Sequence, residues 1–220
     1  MIGLSPRLEA IASLVSPVGT LADIGTDHGL LPAFLLEEGQ VGQVIVTDIS
    51  PASLNKSRVL LGRRFEKDQF SCREGDGLGP LEEGEAQALV IAGMGGLLIG
   101  DILSQKRGLV QSLDYLILQP MQAQEDLWDW LSQENFELLD RALAREGDRF
   151  YPIVKVKSAK KKWDLPISWE DFKDCNHFEA LVKRNHGHYL KIEEEIKRRA
   201  KTKDQIDEVQ RLRKQWEAYL

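Results

Sequence analysis

Leu21-Ala22-Asp23-Ile24-Gly25, running on into Thr26-Asp27-His28-Gly29, decides the fold class of this chain. A short apolar run ends in an aspartate and a glycine, and a second glycine stands where a helical pattern opens at Leu30 and continues to Glu38. That is a buried strand, a tight turn and a helix, the repeating unit of an open α/β sheet. Pro32 fits such a helix only in its first turn. Upstream, Leu4, Leu8, Ile11, Ala12 and Val15 recur at helical spacing, which predicts an amphipathic helix over 5–15 ended by Pro17 and Gly19. Downstream the alternation repeats. Val44-Ile45-Val46-Thr47-Asp48 reads as a second strand, followed by a helix over 51–64 with Ser50 as its cap. Strands are predicted over 70–74, 88–92 and 115–118, with helices from Leu97 to Leu103 and from Gln124 to Gln133. The pattern then changes: residues 137–144 and 151–157 read as two strands joined by Arg145-Glu146-Gly147-Asp148-Arg149. Five βα units followed by a terminal hairpin predict a Rossmann-like, doubly wound sheet, mostly parallel with an antiparallel edge strand.

Beyond that sheet the character of the sequence shifts. Residues 158–174 are rich in Lys, Trp and Pro. Phe178, Val182, Tyr189, Ile192 and Ile196 then follow a helical stripe that includes Asn185, and Val209, Leu212, Trp216 and Tyr219 form another. The economical structure is an antiparallel coiled-coil hairpin packed within the chain. The expected division is therefore a sheet domain over 1–157 and a helical hairpin over 158–220. Charge follows the same division: residues 1–154 carry 12 Lys and Arg against 23 Asp and Glu, and residues 155–220 carry 17 against 12. An acidic body with a basic tail, inside an overall net charge of −6, suggests two parts with different partners.

The 220 residues, 42% of them hydrophobic, exclude a disordered chain. Apolar runs such as Ala88-Leu89-Val90-Ile91-Ala92 are far shorter than a membrane helix, and the N-terminus lacks the pattern of a signal peptide. Cys72 and Cys175 are isolated thiols, and His177, His186 and His188 are not spaced as metal ligands. The expectation is a cytoplasmic, monomeric chain with no metal and no membrane partner.

In a doubly wound sheet ligands bind beyond the carboxyl ends of the strands, where the strand order reverses. The turn after the first strand is not the glycine fingerprint of nicotinamide enzymes, because Asp27 stands two residues after Gly25. A pyrophosphate needs bare backbone free of nearby anions, whereas Asp23 and Asp27 flank this turn and suit a cationic or zwitterionic ligand. Asp48 ends the second strand, at the acidic position that binds a ribose diol. Asp76, in Gly75-Asp76-Gly77-Leu78 after the third strand, can accept from an adenine amino group. Together these describe a pocket for an adenosine without phosphates but with a positive centre, a description that S-adenosylmethionine fits. The fourth strand ends in Ile91-Ala92-Gly93-Met94-Gly95-Gly96, where bare backbone would let a planar base approach. Leu118-Gln119-Pro120 supplies a second candidate wall, with Gln119 able to bond a base edge.

With those segments in hand, the chain resembles the bacterial tRNA (adenine-22, N1) methyltransferases. The resemblance rests on Asp23-Ile24-Gly25-Thr26-Asp27-His28, Gly75-Asp76-Gly77-Leu78, Ile91-Ala92-Gly93-Met94-Gly95-Gly96 and Leu118-Gln119-Pro120, in that order. It implies a class I, S-adenosylmethionine-dependent enzyme that methylates N1 of adenine 22 in tRNA. The cofactor set it implies is Asp23, Gly25, Asp27, His28, Asp48, Ile49, Asp76, Gly77 and Gly93. Asp23, Asp27 and Met94 would position the reactants or act electrostatically, with no general base. Gly95, Gly96, Gln119 and Pro120 would meet the target base. Lys160, Lys161, Lys162, Arg198 and Arg199, with Lys155, Lys157, Lys201 and Lys203 nearby, would grip tRNA phosphates. Trp163 and Trp169 suit anchoring of the linker better than base stacking. The alternatives are a class I methyltransferase for another RNA base or a small molecule, a nicotinamide oxidoreductase, and a tRNA-binding protein without catalysis.

Overall fold

The computed structural model describes residues 2–26, 28–159, 166–198 and 203–220. The expected alternation is present except after β3, which runs to β4 through turns and no helix, so four βα units stand where five were expected: α1 (Pro6–Ser13), β1 (Val18–Ile24), α2 (Leu30–Glu37), β2 (Val41–Asp48), α3 (Pro51–Gly62), β3 (Phe70–Glu74), β4 (Ala88–Gly95), α4 (Gly96–Gln105), α5 (Arg107–Ser112), β5 (Tyr115–Gln122), α6 (Gln124–Gln133), β6 (Phe136–Glu146) and β7 (Arg149–Ser158). Ser50 caps α3 as expected, its side chain accepting from the Ser53 N–H. The short α5 has no counterpart in the sequence reading.

The strands form one seven-stranded sheet in the order β3-β2-β1-β4-β5-β7-β6. Neighbouring strands from β3 to β5 run parallel. The hairpin closes this side of the sheet: β7 lies antiparallel beside β5, and β6 is the outermost strand. Leu21, Ala22 and Ile24, then Leu89, Val90 and Ile91, then Leu116, Ile117 and Leu118 are all buried, as parallel strands covered on both faces require. Each such leucine or isoleucine stabilises the fold by about 1.5–3 kcal/mol through removal from water.

The order of winding locates the ligand crevice. The chain runs outward from β1 through β2 to β3, then returns to place β4 on the other side of β1. The carboxyl ends of β1 and β4 therefore flank the crevice where the winding reverses. The segment Gly93-Met94-Gly95 is an irregular continuation of β4, with register shifts against β5 on both sides of Met94. Gly93 has φ of +82°, a conformation that a bulge of this kind reserves for glycine.

The chain divides into two compact units, Met1–Asp171 and Phe172–Leu220. The division falls later than the change in composition at residue 158. Trp169 packs edge-on against Trp128 at 4.9 Å between ring centroids, and its Nε1 donates to Glu125 Oε1 at 2.7 Å. The Arg141 guanidinium donates to the Asp171 carbonyl at 2.5 Å. Trp169 is thus an anchor on the sheet unit, as its type suggests. The second unit contains α7 (Phe178–Arg198) and α8 (Lys203–Glu217) packed on each other. Its seam is less apolar than the stripes predict. Glu193 is buried there, bonded to Lys197 at 2.5 Å, Gln210 at 2.8 Å and Arg213 at 3.0 Å. The Lys197 hydrogen bond first, then Gln210, hold its carboxyl down to about 2.

Candidate active site

A cavity of about 350 Å³ opens beyond the carboxyl ends of β1 and β4, lined among others by Arg7, Asp23, Gly25, Thr26, His28 and Gly93. Gly25 makes the turn possible. Its φ is +74°, and a Cβ there would lie 2.1 Å from Met94 Cε. The first loop and the β4 bulge are therefore packed onto each other with no room for a side chain between them. The Gly25 and Thr26 N–H groups both donate to the Thr47 carbonyl, at 2.8 and 3.2 Å, which ties the turn to β2. Gly29, also left-handed, leads into α2 with its N–H donating to Thr26 Oγ1 at 3.3 Å.

Asp23 is the buried charge of this site, 6% exposed. Burial raises its carboxyl to about 6, opposed by a hydrogen bond with the Thr26 side chain; the neighbouring charge of Asp48 raises it further and Arg7 lowers it. A carboxylate ionised against its surroundings, beside a cavity, is a seat for a positive group. The residues present fit an S-adenosyl compound on this ground: bare turn, buried anion and open volume adjoin. Ile24 pairs with Thr47 across β1 and β2, so Asp48 stands beside the Gly25 turn. Its Oδ1 accepts from Ser50 N–H at 2.7 Å, and Ile49 is 69% exposed next to it. Asp76 is exposed after β3, while Gly77 is buried with φ of +52° against Ile102 and Gln105. Asp48, Ile49 and Asp76 thus continue the carboxyl edge beyond the cavity instead of lining it.

Arg7 is the residue the motifs missed. It reaches the cavity from α1, and its Nη1 donates to Gln119 Oε1 at 2.8 Å. Its backbone N–H donates to Glu146 Oε1 at 3.0 Å, and its guanidinium lies 5.8 Å from the Tyr151 ring centroid. One signal was available: Arg7 is the only Lys or Arg in the first 50 residues. Gln119 plays a different part from the one expected. It is fully buried, its Oε1 also accepts from Gly93 N–H at 3.2 Å, and its Nε2 donates to the Pro120 carbonyl at 2.7 Å. With both ends of the amide engaged, it holds the bulge and Arg7 in place and presents no edge to a base.

Other expected substrate residues also change role. Pro120 is buried opposite Met94. Gly96 is buried where a Cβ would fall 2.0 Å from the Ala123 carbonyl, so this glycine serves close packing of α4. Gly95 and Met94 are half-buried, and Gly93 is exposed. Beside them the rim is apolar: Leu97 and Leu98 at the start of α4 are 64% and 50% exposed, and Met121 on β5 is 43% exposed. Lys155 is buried, with Nζ donating to Ser16 Oγ at 2.6 Å and lying 4.2 Å from the Tyr115 ring centroid. It supports the hairpin and cannot grip a phosphate. Arg198 is exposed at the end of α7, 3.5 Å from Glu194. Asp27, Lys160, Lys161, Lys162, Trp163, Arg199 and Lys201 lie outside the described residues. Among the described residues no cluster of His, Cys, Asp or Glu is arranged to hold a metal ion, and no helix is long and apolar enough to cross a membrane.

A family model for a methyltransferase domain matches residues 4–154. A tRNA (adenine(22)-N(1))-methyltransferase of Bacillus subtilis (strain 168) is 30% identical over 158 residues, which is 72% of this chain and 66% of that relative, just under two thirds of its length. Among solved structures, a putative tRNA (m1A22) methyltransferase of Streptococcus pneumoniae matches with a TM-score of 0.85 at 27% identity, over 99% of this chain and 98% of that one. A structure of that Streptococcus pneumoniae protein in complex with S-adenosyl-L-methionine matches with a TM-score of 0.79 at 28% identity, over 96% and 100% of the two chains.

Proposed function

The chain belongs to the methyltransferase-domain family, and we propose that it transfers a methyl group from S-adenosylmethionine to N1 of adenine 22 in tRNA. The observation that carries this reading is the buried Asp23 beside an open cavity at the winding reversal, with the glycine bulge of β4 forming the opposite wall. The site favours a ligand with a positive centre, and the bulge offers bare backbone where an acceptor must approach.

When bound, S-adenosylmethionine supplies an electrophilic methyl on a sulfonium. N1 of neutral adenine already has its lone pair, so no side chain need remove a proton. The work left to the chain is alignment and exclusion of water. Asp23 gives the pocket its negative potential. Asp48 accepts from the ribose hydroxyls and Asp76 from the adenine amino group. Gly25, Gly93 and the Met94 packed between the two loops set the spacing of cofactor and acceptor. Gln119 keeps that spacing by holding the Gly93 N–H. Leu97, Leu98 and Met121 offer an apolar rim on which an unstacked nucleotide can rest. Extruding the base costs a few kcal/mol, and contact with such a rim offsets part of it. The basic segment with Lys160, Lys161 and Lys162, and Arg198 and Arg199, holds phosphates of the same tRNA.

The test is transfer of labelled methyl from S-adenosylmethionine to unmodified tRNA transcripts, with nucleoside analysis of the product. Label is expected as 1-methyladenosine with an A22 transcript and not with its A22→G partner. Label in another nucleoside overturns the position and keeps the cofactor reading. Failure of the protein to bind S-adenosylmethionine overturns both.

A further inference from the structure

Residues 75–87, between β3 and β4, run as turns, so their carbonyls need partners other than those of a helix or a ladder. Three consecutive carbonyls are held by two cations. Lys106 Nζ donates to the Gly79 carbonyl at 3.0 Å and to the Leu81 carbonyl at 2.5 Å. Arg73 Nη1 donates to the Pro80 carbonyl between them at 3.0 Å. We propose that Lys106 and Arg73 are positioning residues: by clamping these carbonyls they hold Asp76 at the base edge of the cofactor and so set the preference of the site for adenine. The inference rests on the S-adenosylmethionine reading of the site and adds the residues that act through Asp76.

The path from the clamp to Asp76 is short. The Gly79 N–H donates to the Asp76 carbonyl at 2.9 Å, so the residue that Lys106 grips also closes the turn that Asp76 opens. On the other side Asp76 follows Arg73-Glu74-Gly75. Pro80 packs on Gly75 so closely that a Cβ on that glycine would fall 2.3 Å from Pro80 Cγ. The stretch from Arg73 to Pro80 is thus closed at its base, with Asp76 exposed within it. The Gly75 N–H donates to the Asp48 carbonyl at 3.1 Å, which fixes the closed loop against the ribose acceptor. Arg73 is itself held: Nη1 and Nη2 donate to the Glu85 carboxylate at 2.7 and 3.1 Å, and that carboxylate also accepts from the Glu82 N–H at 2.8 Å. A guanidinium engaged through its planar fork has little freedom to turn. Lys106 comes from elsewhere in the chain, at the break between α4 and α5. An ammonium has three donors, enough for both carbonyls. α4 opens directly after the β4 bulge, and its Ile102 and Gln105 pack on Gly77. The helix that begins at the acceptor wall therefore ends on the loop that carries Asp76. An acceptor discriminates between bases only where its place is fixed, and here two cations fix it.

The experiment is calorimetric binding to the full chain of S-adenosylhomocysteine and of its inosine counterpart, in which an oxygen replaces the adenine amino group. The wild type is expected to prefer the adenine form roughly tenfold to a hundredfold, the range for a hydrogen bond to a charged group. Asp76→Ala is expected to remove that preference and sets the floor. Lys106→Met keeps the length of the side chain but not its donors. It is expected to lower the preference about threefold to tenfold, part of what that bond supplies, while the inosine form binds as before. Arg73→Met is expected to act in the same direction, and Lys106→Arg, which restores donors, to recover the preference. A merely structural role would weaken both ligands alike. Equal losses for the two ligands in Lys106→Met, or no loss for either, therefore overturn the assignment. Should circular dichroism show that Lys106→Met does not fold, Lys106→Gln, with one end of its amide still able to donate, decides: a reduced preference supports the clamp and an unchanged one overturns it. A wild type without preference overturns the role of Asp76 and the clamp with it. A wild type that binds neither ligand overturns the cofactor reading itself, a failure distinct from an equal loss in the variant.

Discussion

Replacing Asp23 with Asn should stabilise the ligand-free protein while weakening its hold on a cationic ligand. The carboxyl is raised from 3.8 to about 6 by burial, so the folded state carries an ionised group that it disfavours relative to the unfolded chain. A difference of about two pK units at 1.36 kcal/mol each amounts to about 3 kcal/mol at neutral pH. Asn is nearly isosteric and its amide oxygen can still accept from the Thr26 side chain, so the main change is removal of that charge. The size of the effect depends on pH. Below about pH 3.8 the wild-type carboxyl is neutral in both states, and the two proteins should be equally stable. The gap should open between pH 3.8 and about 6 and reach its full size above that. For a chain of this size about 3 kcal/mol corresponds to roughly 6–12 °C in Tm. Thermal unfolding followed by circular dichroism at several pH values, without ligand, measures this. Calorimetry with S-adenosylmethionine at about pH 7.5 should show the opposite sign, a loss of affinity in the variant. Two results would show that the buried charge does not destabilise the fold: an Asn variant less stable than wild type near neutral pH, or a Tm gap as large in acid as at neutrality.

Other perturbations test separate parts of the structure. Gly25→Ala forces a side chain into left-handed backbone and against Met94 Cε, and should abolish cofactor binding; adding Met94→Ala relieves the collision but not the backbone strain of about 1–2 kcal/mol, so calorimetry of the double variant should recover binding only in part. Glu193→Gln should destabilise the α7–α8 pair at neutral pH, since the carboxyl held down to about 2 contributes stability above the ordinary carboxylate range and loses it as pH falls toward that value; helix melting of the full chain should show the difference shrinking with acid. Lys160→Ala, Lys161→Ala and Lys162→Ala together should weaken tRNA binding and flatten its log–log salt dependence by about 2–3, close to one for each phosphate no longer neutralised; an unchanged slope in filter binding would make this stretch a solvated linker.

The sheet was legible because its signals are local. Runs such as Val44-Ile45-Val46 and Leu89-Val90-Ile91 bury both faces, and each is bounded by the turn that ends it. That Asp23, Gly25 and Gly93 would meet at one crevice, whose cavity they line, was legible for a related reason: they stand at strand ends, where the winding brings separated loops together. What escaped the sequence depends on distant partners. Arg7 occupies a polar face of an ordinary amphipathic helix, and only the folded chain carries it to Gln119. Gln119 looked like a hydrogen-bonding group at a strand end, and nothing nearby in sequence says that its amide is consumed by Arg7, Gly93 and Pro120. Lys155 belongs to a basic segment by composition but to the interior by strand register, which turns it toward Ser16 and Tyr115. Glu193 sits in the run Glu193-Glu194-Glu195, where one buried acid cannot be told from its exposed neighbours until α8 supplies Gln210 and Arg213.

The bonds that hold Arg7 span 112 residues to Gln119 and 139 to Glu146, nearly the whole of the sheet unit. Closing such long loops is entropically expensive, and pairings of this separation form late in folding. During synthesis α1 emerges long before its partners, which arrive only with β5 and the tip of the β6–β7 hairpin. The cavity wall should therefore be among the last parts to acquire native structure. Shortened chains that end before β6 can form much of the parallel sheet, but they lack the carboxylate that fixes the backbone of Arg7.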